Sequence, residues 1–275
     1  MRQMLILAGE EFREGLRNRW VLSTVLLLAA LAFALALLGS APIGETRVSP
    51  LGVTTVSLAS LTVYLVPLIA LTLSHDAIVG ERERGTLLLL LSYPVSRWQV
   101  LWGKFFGHLA IILVAVVMGY GSTGLYIALS TGSVAADWAL FVSMVGSSLV
   151  LGSVFIALGY LISVSVSSRA TAAGVAIATW LFIVVVYDLL LLGVLLTGAG
   201  TRVSSDLFGM LMLLNPADIY RLFNLAGTEA ASLVSGSLGS FEGTFLTPGI
   251  LLAGLFIWVA LPMAGSLWIF KRHEL

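Results

Sequence analysis

The sequence predicts an all-α, polytopic membrane protein with six transmembrane helices. Of the 275 residues, 59% are hydrophobic and only 10% are charged, whereas about half of a soluble domain is apolar. A hydrocarbon core of about 30 Å requires about 20 mostly apolar residues in a helix. Six stretches reach this length: 20–39, 53–73, 105–129, 139–163, 171–196 and 249–270. We expect them to form a single transmembrane domain over residues 1–275.

The distribution of basic residues predicts the orientation in the membrane. An even number of spans puts both termini on the same side, and short loops rich in Lys and Arg stay in the cytoplasm. With the termini inside, the inner segments hold eleven Lys and Arg, and the outer segments hold three of the 14: Arg47, Arg202 and Arg221. We therefore expect both termini in the cytoplasm.

The first 19 residues are predicted to form a helix on the cytoplasmic membrane surface. They carry seven charges and lack the continuous apolar core of a signal peptide. Leu5, Phe12, Leu16 and Trp20 recur on one side at helical spacing, with charged residues elsewhere. This pattern is typical of an amphipathic helix that lies in the membrane interface.

A second amphipathic helix is predicted in the outer, periplasmic segment 198–248, at LNPADIYRLFNL. Asn215 is a favourable N-cap and Pro216 a favourable first helical residue. Asp218 and Arg221 are spaced to form an ion pair on one face of that helix. We expect a short helix on the outer face of the protein.

Asp188 is the one carboxylate in the middle of a predicted span, in FIVVVYDLLLLGVLL. An acidic residue in hydrocarbon is costly, and it usually faces the interior of the bundle or a water-filled cavity. Asp188 is therefore a candidate for function, and a structural hydrogen bond or an interfacial charge is the alternative. A proteolytic pair of aspartates is not expected, because the remaining aspartates fall in predicted loops or at span boundaries.

The sequence does not predict a catalytic or metal site. The only Gly-Lys pair, Gly103 and Lys104, lacks the other residues of a phosphate-binding loop, so we do not expect ATP hydrolysis by this chain itself. The three histidines lack metal-binding spacing, and cysteine is absent. We expect no cofactor in this chain. The net charge of zero gives no field that would attract nucleic acid.

The loop 75–104 contains the stretch ERERGTLLLLL, in which four alternating charges precede five leucines. Five helical residues extend only about 7.5 Å, so residues 87–91 cannot cross the membrane. In a cytoplasmic loop, these leucines must be buried either against the protein's own bundle or against a partner.

Residues 81–104, ERERGTLLLLLSYPVSRWQVLWGK, resemble the signature E-x-E-x-G-T-x-x-x-L-L-x-x-P-x-S-R…GK of ABC-2 type permeases. Six spans and an amino-terminal surface helix are also typical of that family. The resemblance implies that the loop carries a coupling helix that docks on a separate ATPase subunit, which binds ATP and Mg²⁺. The residues implied in this coupling are Glu81, Arg82, Glu83, Arg84, Gly85, Thr86, Leu89, Pro94 and Arg97.

Three motifs, at 15–20, 75–81 and 214–225, resemble more narrowly the permeases that serve copper-site maturation in periplasmic nitrous oxide reductase. This resemblance implies an ATPase dimer inside, a periplasmic β-helix protein outside and a second copy of the chain in the bilayer. The outer contact residues would be Asn215, Pro216, Asp218, Tyr220 and Arg221. The sequence leaves open whether copper, a sulfur compound or only mechanical work crosses the membrane. It also leaves open a permease that exports a drug, lipid or polysaccharide and, more distantly, a membrane-embedded enzyme.

Overall fold

The computed structural model describes residues 2–39, 50–130, 135–196, 205–225 and 245–272, and these ranges contain helices and no β-strand. The helices are α1 (Arg2–Arg17), α2 (Arg19–Gly39), α3 (Pro50–Ser74), α4 (Val79–Glu83), α5 (Thr86–Ser92), α6 (Arg97–Ser130), α7 (Ala135–Ser165), α8 (Arg169–Leu181), α9 (Tyr187–Leu196), α10 (Ser205–Leu213), α11 (Pro216–Leu225) and α12 (Pro248–Arg272). A π-helical turn, Phe182–Val186, joins α8 to α9. The all-α prediction is confirmed.

Five helical segments in the described ranges are long and apolar enough to cross a membrane. They are Thr54–Glu83, Arg97–Leu129, Trp138–Ser165, Arg169–Val194 and Pro248–Arg272. The number becomes six if α1 and α2, which meet at an angle of 72°, count as one bent span. The polytopic membrane fold is therefore confirmed, whereas the side of the membrane that holds the termini stays a prediction.

Helices α3, α6 and α7 form the centre of the bundle. Their side chains supply most of the core, with Leu58, Ile112 and Phe155 almost fully buried. The segment from α8 to α9 lies at the periphery and exposes apolar side chains such as Ile177 and Phe182. Apolar side chains on the outside and packed ones inside suit a bundle whose solvent is lipid.

Small residues allow close packing in the centre of the bundle. In α7, Ser148 and Gly152 are four residues apart and face inward, and a β-carbon at Gly152 would lie 2.9 Å from Ile112 Cγ2. This pair therefore packs helices within one chain. The small residues Ala170, Gly174 and Ala178 of α8 are also four residues apart, but they are exposed. A β-carbon at Gly174 would meet no atom within 4 Å.

The amino-terminal helix α1 packs against α6 through a side other than its predicted apolar stripe. Leu5 and Leu16, on the predicted apolar stripe, are exposed. The side that lies against α6 is formed by Met4, Leu7, Ala8, Glu11 and Gly15. The reason is steric, because glycines on α6 accept a close approach of the α1 backbone, which bulky side chains would prevent.

The predicted start of the outer helix is confirmed, but its surface position is wrong. Asn215 caps α11 by accepting a hydrogen bond from Ala217 N at 2.9 Å, and Asp218 pairs with Arg221 at 3.0 Å. Residues 216–220 are nevertheless buried, because α11 packs against α3, α7 and α12. The remaining parts of the predicted outer segment, 197–204 and 226–244, lie outside the described residues.

Candidate functional site

The leucine run of the loop 75–104 forms the short helix α5, which follows the shorter α4. Gly85 separates the two helices with a φ of 72°, in the left-handed region that glycine adopts without steric cost. Leu87 is almost fully buried in the bundle, whereas Leu88 and Leu89 are 59% and 66% exposed. One side of α5 is therefore fixed to the protein, and the other presents apolar side chains that are largely exposed.

A buried ion cluster fixes α4 to the helices next to it. The Nζ atom of Lys104 lies 2.8 Å from Glu81 Oε1 and 2.5 Å from Glu11 Oε2. His108 Nε2 lies 3.0 Å from Glu11 Oε1, and His108 Nδ1 lies 2.8 Å from the hydroxyl of Tyr160. These five residues, which we call the inner cluster, join α1, α4, α6 and α7.

The pKa of Glu11 reflects this environment. Burial alone would raise the pKa of the Glu11 carboxyl, but a hydrogen bond from His108 and the charges of His108 and Lys104 outweigh it and lower the pKa to about 2. The folded-state pKa of Glu11 lies below the ordinary value. The ionised Glu11 carboxylate therefore stabilises the fold at neutral pH, and this contribution is lost only as the pH falls toward 2. Glu11 therefore stays ionised at neutral pH.

Two more charges of the loop bind the connection between α7 and α8. Arg82 donates to the carbonyl of Val166, and Glu83 Oε1 accepts a hydrogen bond from the backbone N of Arg169 at 2.9 Å. The side chain of Arg169 forms an ion pair with Asp76. Glu81, Arg82 and Glu83 are thus all bonded within this chain, whereas Arg84 is exposed.

The remaining residues implied in coupling lie along the same surface. Thr86 Oγ1 donates to Glu81 O at 3.2 Å, and Pro94 O accepts a hydrogen bond from Gln3 Nε2 at 2.9 Å. Arg97 Nη1 donates to the carbonyl oxygens of Phe270, at 2.6 Å, and Lys271, at 2.9 Å. Arg97 therefore binds the carboxyl-terminal end of α12, where a cation is favoured by the helix dipole.

Lys104, His108 and Glu11 are not among the functional residues that the sequence predicts. A signal was present, because Lys104 and His108 stand four residues apart in an otherwise apolar helix and therefore share one face. Titratable residues on one face of an apolar helix indicate a buried partner. The identity of that partner, Glu11 in another helix, is not visible in the sequence.

Helix α1 reaches the inner cluster because α6 carries glycines at its contact. A β-carbon at Gly107 would lie 2.6 Å from Glu11 Cβ and 2.9 Å from the carbonyl oxygen of Ala8. At Gly103 it would lie 2.8 Å from Leu7 Cβ. The two glycines, four residues apart, form the small-residue groove that lets two helices approach closely.

A Gly107→Ala variant is expected to lose about 1–3 kcal/mol of stability, because the added methyl group forces α1 away from α6. The measurement is the denaturation temperature of the purified chain in detergent. Gly121→Ala in the same helix is the matched control, since its β-carbon would meet only Val117 Cγ1, at 4.0 Å. Equal denaturation temperatures for the two variants would contradict the proposed close contact.

The structure brings Asp188 together with Asp218 and Arg221. The Arg221 guanidinium binds the carboxylate of Asp188 and lies 3.0 Å from Asp218 Oδ1. Asp218, which the sequence places outside the predicted spans, thus lies next to Asp188 and belongs to a buried helix. The guanidinium between them makes this group an ion triad.

The other predicted outer residues lie mostly inside the protein. Asn215 is 1% exposed, Asp218 4% and Tyr220 0%, and Pro216 is also buried. Of these five predicted contact residues, only Arg221 is partly accessible, next to a cavity of about 160 Å³ between α3 and α11. Direct contact with a partner is therefore open to Arg221 in this conformation and closed to the other four.

Hydroxyl groups connect α11 to the centre of the bundle. The hydroxyl of Tyr220 lies 3.0 Å from Ser148 Oγ in α7, and Asn224 Nδ2 donates to Ser147 Oγ at 3.0 Å. Such buried polar contacts fix the position of one helix relative to another. In the described part of the chain, no group of three or more His, Asp or Glu residues is placed to hold a metal ion.

Comparison with known proteins assigns the family. The family model described as "ABC-2 family transporter protein" matches residues 5–275. A protein of Stutzerimonas stutzeri named "Probable ABC transporter permease protein NosY" is 42% identical over 276 residues, which cover 99% of each chain. A protein of the same name from Pseudomonas aeruginosa is 42% identical over 271 residues, which cover 98% of each chain.

Both relatives are named as permeases, the membrane components of ABC transporters. Together with the apolar helices, this similarity identifies a multi-pass protein of the bacterial inner membrane. The chain therefore belongs to the ABC-2 family of transporter proteins, as a permease similar to NosY.

Proposed function

We propose that this chain is the permease of a NosDFY-type transporter. In this proposal, a NosF-like ATPase dimer binds ATP and Mg²⁺ on the cytoplasmic side and a NosD-like β-helix protein binds outside. Two copies of the chain couple ATP hydrolysis to transport or to mechanical signalling, in the assembly of the copper sites of nitrous oxide reductase. The similarity to two NosY proteins over nearly the whole chain supports this role.

One observation carries the coupling part of the proposal: α5 exposes Leu88 and Leu89 while the adjacent α4 is bonded to the bundle. An ATPase that binds the exposed leucines would apply its movement to a segment that is tightly connected. The Glu81–Lys104 ion pair would carry that movement into α6. The bonds of Arg82 and Glu83 would carry it to the start of α8.

At the opposite end of the same helices, α7 and α9 hold α11 by the Ser148–Tyr220 hydrogen bond and the Asp188–Arg221 ion pair. A shift of α7 or α9 would therefore displace α11. In this proposal the predicted outer contact residues act as a lever inside the protein, and Arg221 is the part of that lever nearest to a periplasmic partner.

Deletion of this gene in its own host tests the proposed role in copper-site assembly. We expect nitrous oxide reductase purified from the deletion strain to lack copper, and the wild-type gene on a plasmid to restore the copper content. Fully copper-loaded reductase from the deletion strain would refute the role. If the chain instead exports a drug, lipid or polysaccharide, the deletion strain is expected to make fully copper-loaded reductase and to lose the export of that compound.

Capture of the tagged chain from detergent-solubilised membranes tests the proposed partners. We expect an ATPase and a periplasmic β-helix protein in the captured complex. An ATPase accompanied by a different periplasmic protein would support the exporter alternative instead.

A further inference from the structure

The outer part of the span α8–α9 contains a break in its hydrogen-bond pattern. In the π-helical turn Phe182–Val186, the backbone N of Tyr187 donates to Phe182 O, five residues earlier. In an α-helix that N–H would donate to Ile183 O. The carbonyl of Ile183 instead accepts a hydrogen bond from Asn215 Nδ2, at 2.9 Å, in the connection between α10 and α11. The outer segment thus supplies a donor to the break.

Two further contacts hold the same segments together. The hydroxyl of Tyr187 donates to Leu211 O at 2.6 Å, and Asp188 pairs with Arg221. We call these contacts the outer latch, which joins Ile183, Tyr187 and Asp188 of the span to Leu211, Asn215, Asp218 and Arg221 of the outer segment. π-Helical turns often occur at functional sites and weaken the regular helix ladder, so the latch is fixed to the weakest point of this span.

The charges of the outer latch do not balance when both carboxylates are ionised. Asp188 and Asp218 share the single guanidinium of Arg221, and one oxygen of Asp188 is buried without a hydrogen-bond partner within the described residues. Asn215 Nδ2 also lies 3.0 Å from Asp218 Oδ2, but it adds no charge. One proton on the pair of carboxylates would restore neutrality.

The helices packed around the latch bring no further cation to this end of the bundle. Within the described ranges, α3 contains no charged residue. The charged residues of the other helices are Asp137 in α7, Asp206 in α10, and Lys271 and Arg272 at the opposite end of α12. The ring of Tyr64 in α3 lies 6.0 Å from the Arg221 guanidinium and carries no charge.

The titration of Asp218 agrees with this geometry. Burial and then the negative charge of Asp188 raise the pKa of the Asp218 carboxyl to about 7, although Arg221 and Asn215 act in the opposite direction. The folded-state pKa of Asp218 lies above the ordinary value of about 4. The protonated Asp218 carboxyl therefore makes its full contribution to the stability of the fold below about pH 4, and this contribution is lost as the pH rises through 7.

We propose that the outer latch is a proton-sensitive switch, which holds α11 against the π-helical turn when the Asp188–Asp218 pair carries a proton and loosens when that proton leaves. The switch is a property of this chain alone. It does not depend on the identity of the ATPase, the periplasmic partner or the transported species, so it stands or falls separately from the function proposed above.

The absence of cysteine from the sequence allows a direct test by pulsed electron paramagnetic resonance. Spin labels are attached to cysteines that replace two exposed residues, Ile177 in α8 and Met210 in α10. The full-length chain in phosphatidylcholine nanodiscs is measured at pH 5.5 and pH 8.5. We expect one narrow distance at the lower pH and a broader or longer distribution at the higher pH, with a midpoint near pH 7.

Two variants separate the proton effect from a general loss of structure. Asp218→Asn, which resembles the protonated carboxyl in shape and charge, is expected to give the narrow distribution at both pH values. Arg221→Gln is expected to give the broad distribution at both. Labels on Met118 and Leu261, exposed residues of α6 and α12, are the control pair and should not respond to pH.

The proposal is overturned if the distance between the labels is the same at pH 5.5 and pH 8.5 in the otherwise wild-type chain. It is also overturned if the Asp218→Asn variant keeps the pH dependence. A response of the control pair equal to that of the latch pair would show a global change in the bundle and would likewise overturn the latch as its source.

Discussion

A Lys104→Met variant is expected to lose about 3–5 kcal/mol of stability, because removing one partner of a buried ion pair leaves the other charge uncompensated. Lys104 has a side chain that is only 7% exposed, and it binds two carboxylates that are also largely buried, those of Glu11 and Glu81. The loss is measured as the denaturation temperature of the purified chain, followed by tryptophan fluorescence and by size-exclusion chromatography after heating.

The triple variant Lys104→Met, Glu11→Gln, Glu81→Gln provides the control. It removes the lysine together with both negative charges, and replacing a whole buried ion group by neutral residues costs far less than removing one member. We therefore expect it to be markedly more stable than the single variant. A single Lys104→Met variant that denatures at the wild-type temperature would contradict the inner cluster as a stabilising feature.

The double variant Leu88→Asp, Leu89→Asp is expected to fold normally and to lose the ATPase. Both side chains are exposed in this chain, so charging them breaks no internal packing. If they are buried in a groove of the ATPase, each contributes about 1.5–3 kcal/mol to binding, which corresponds to at least about tenfold in Kd per leucine. The measurements are the amount of ATPase captured with the tagged chain and the denaturation temperature of the chain alone.

Ser92→Asp is the matched control for this variant, since it adds a negative charge to the exposed end of the same helix without removing an apolar side chain. We expect it to retain the ATPase. Unchanged capture of the ATPase by the leucine variant would exclude α5 as the docking element. A change of Glu83 would be a weaker test, because Glu83 accepts a hydrogen bond from the backbone of Arg169 and its loss would also disturb α8.

Hydrophobicity alone predicts the spans well, because a helix in hydrocarbon must be both long and apolar. Hydrophobicity does not determine at which residue a helix begins or ends outside the hydrocarbon core. Helix α6 begins at Arg97, eight residues before its predicted span, since Ser96 and Gln99 form a reciprocal capping box. The spacing S-x-x-Q was available in the sequence and predicts this start.

The outer helix shows why the candidate site was less predictable than the fold. An apolar stripe predicts that α11 packs against something, but the stripe is the same for a helix on lipid and for one inside the bundle. The decisive contact joins the Tyr220 hydroxyl to Ser148, 72 residues away in the sequence. Asp188 and Asp218 likewise belong to segments that are distant in the sequence and meet only in the fold. Such pairings leave no periodic pattern in one sequence.

The inner cluster imposes an order on the biogenesis of the protein. Glu11 emerges from the ribosome before its counter-ion Lys104, which is made 93 residues later, and before Tyr160, which is made later still. During that interval the carboxylate has no cationic partner in α6 and must remain hydrated. Helix α1 therefore reaches its final position only after the beginning of α6 has been inserted, later than its place in the sequence implies.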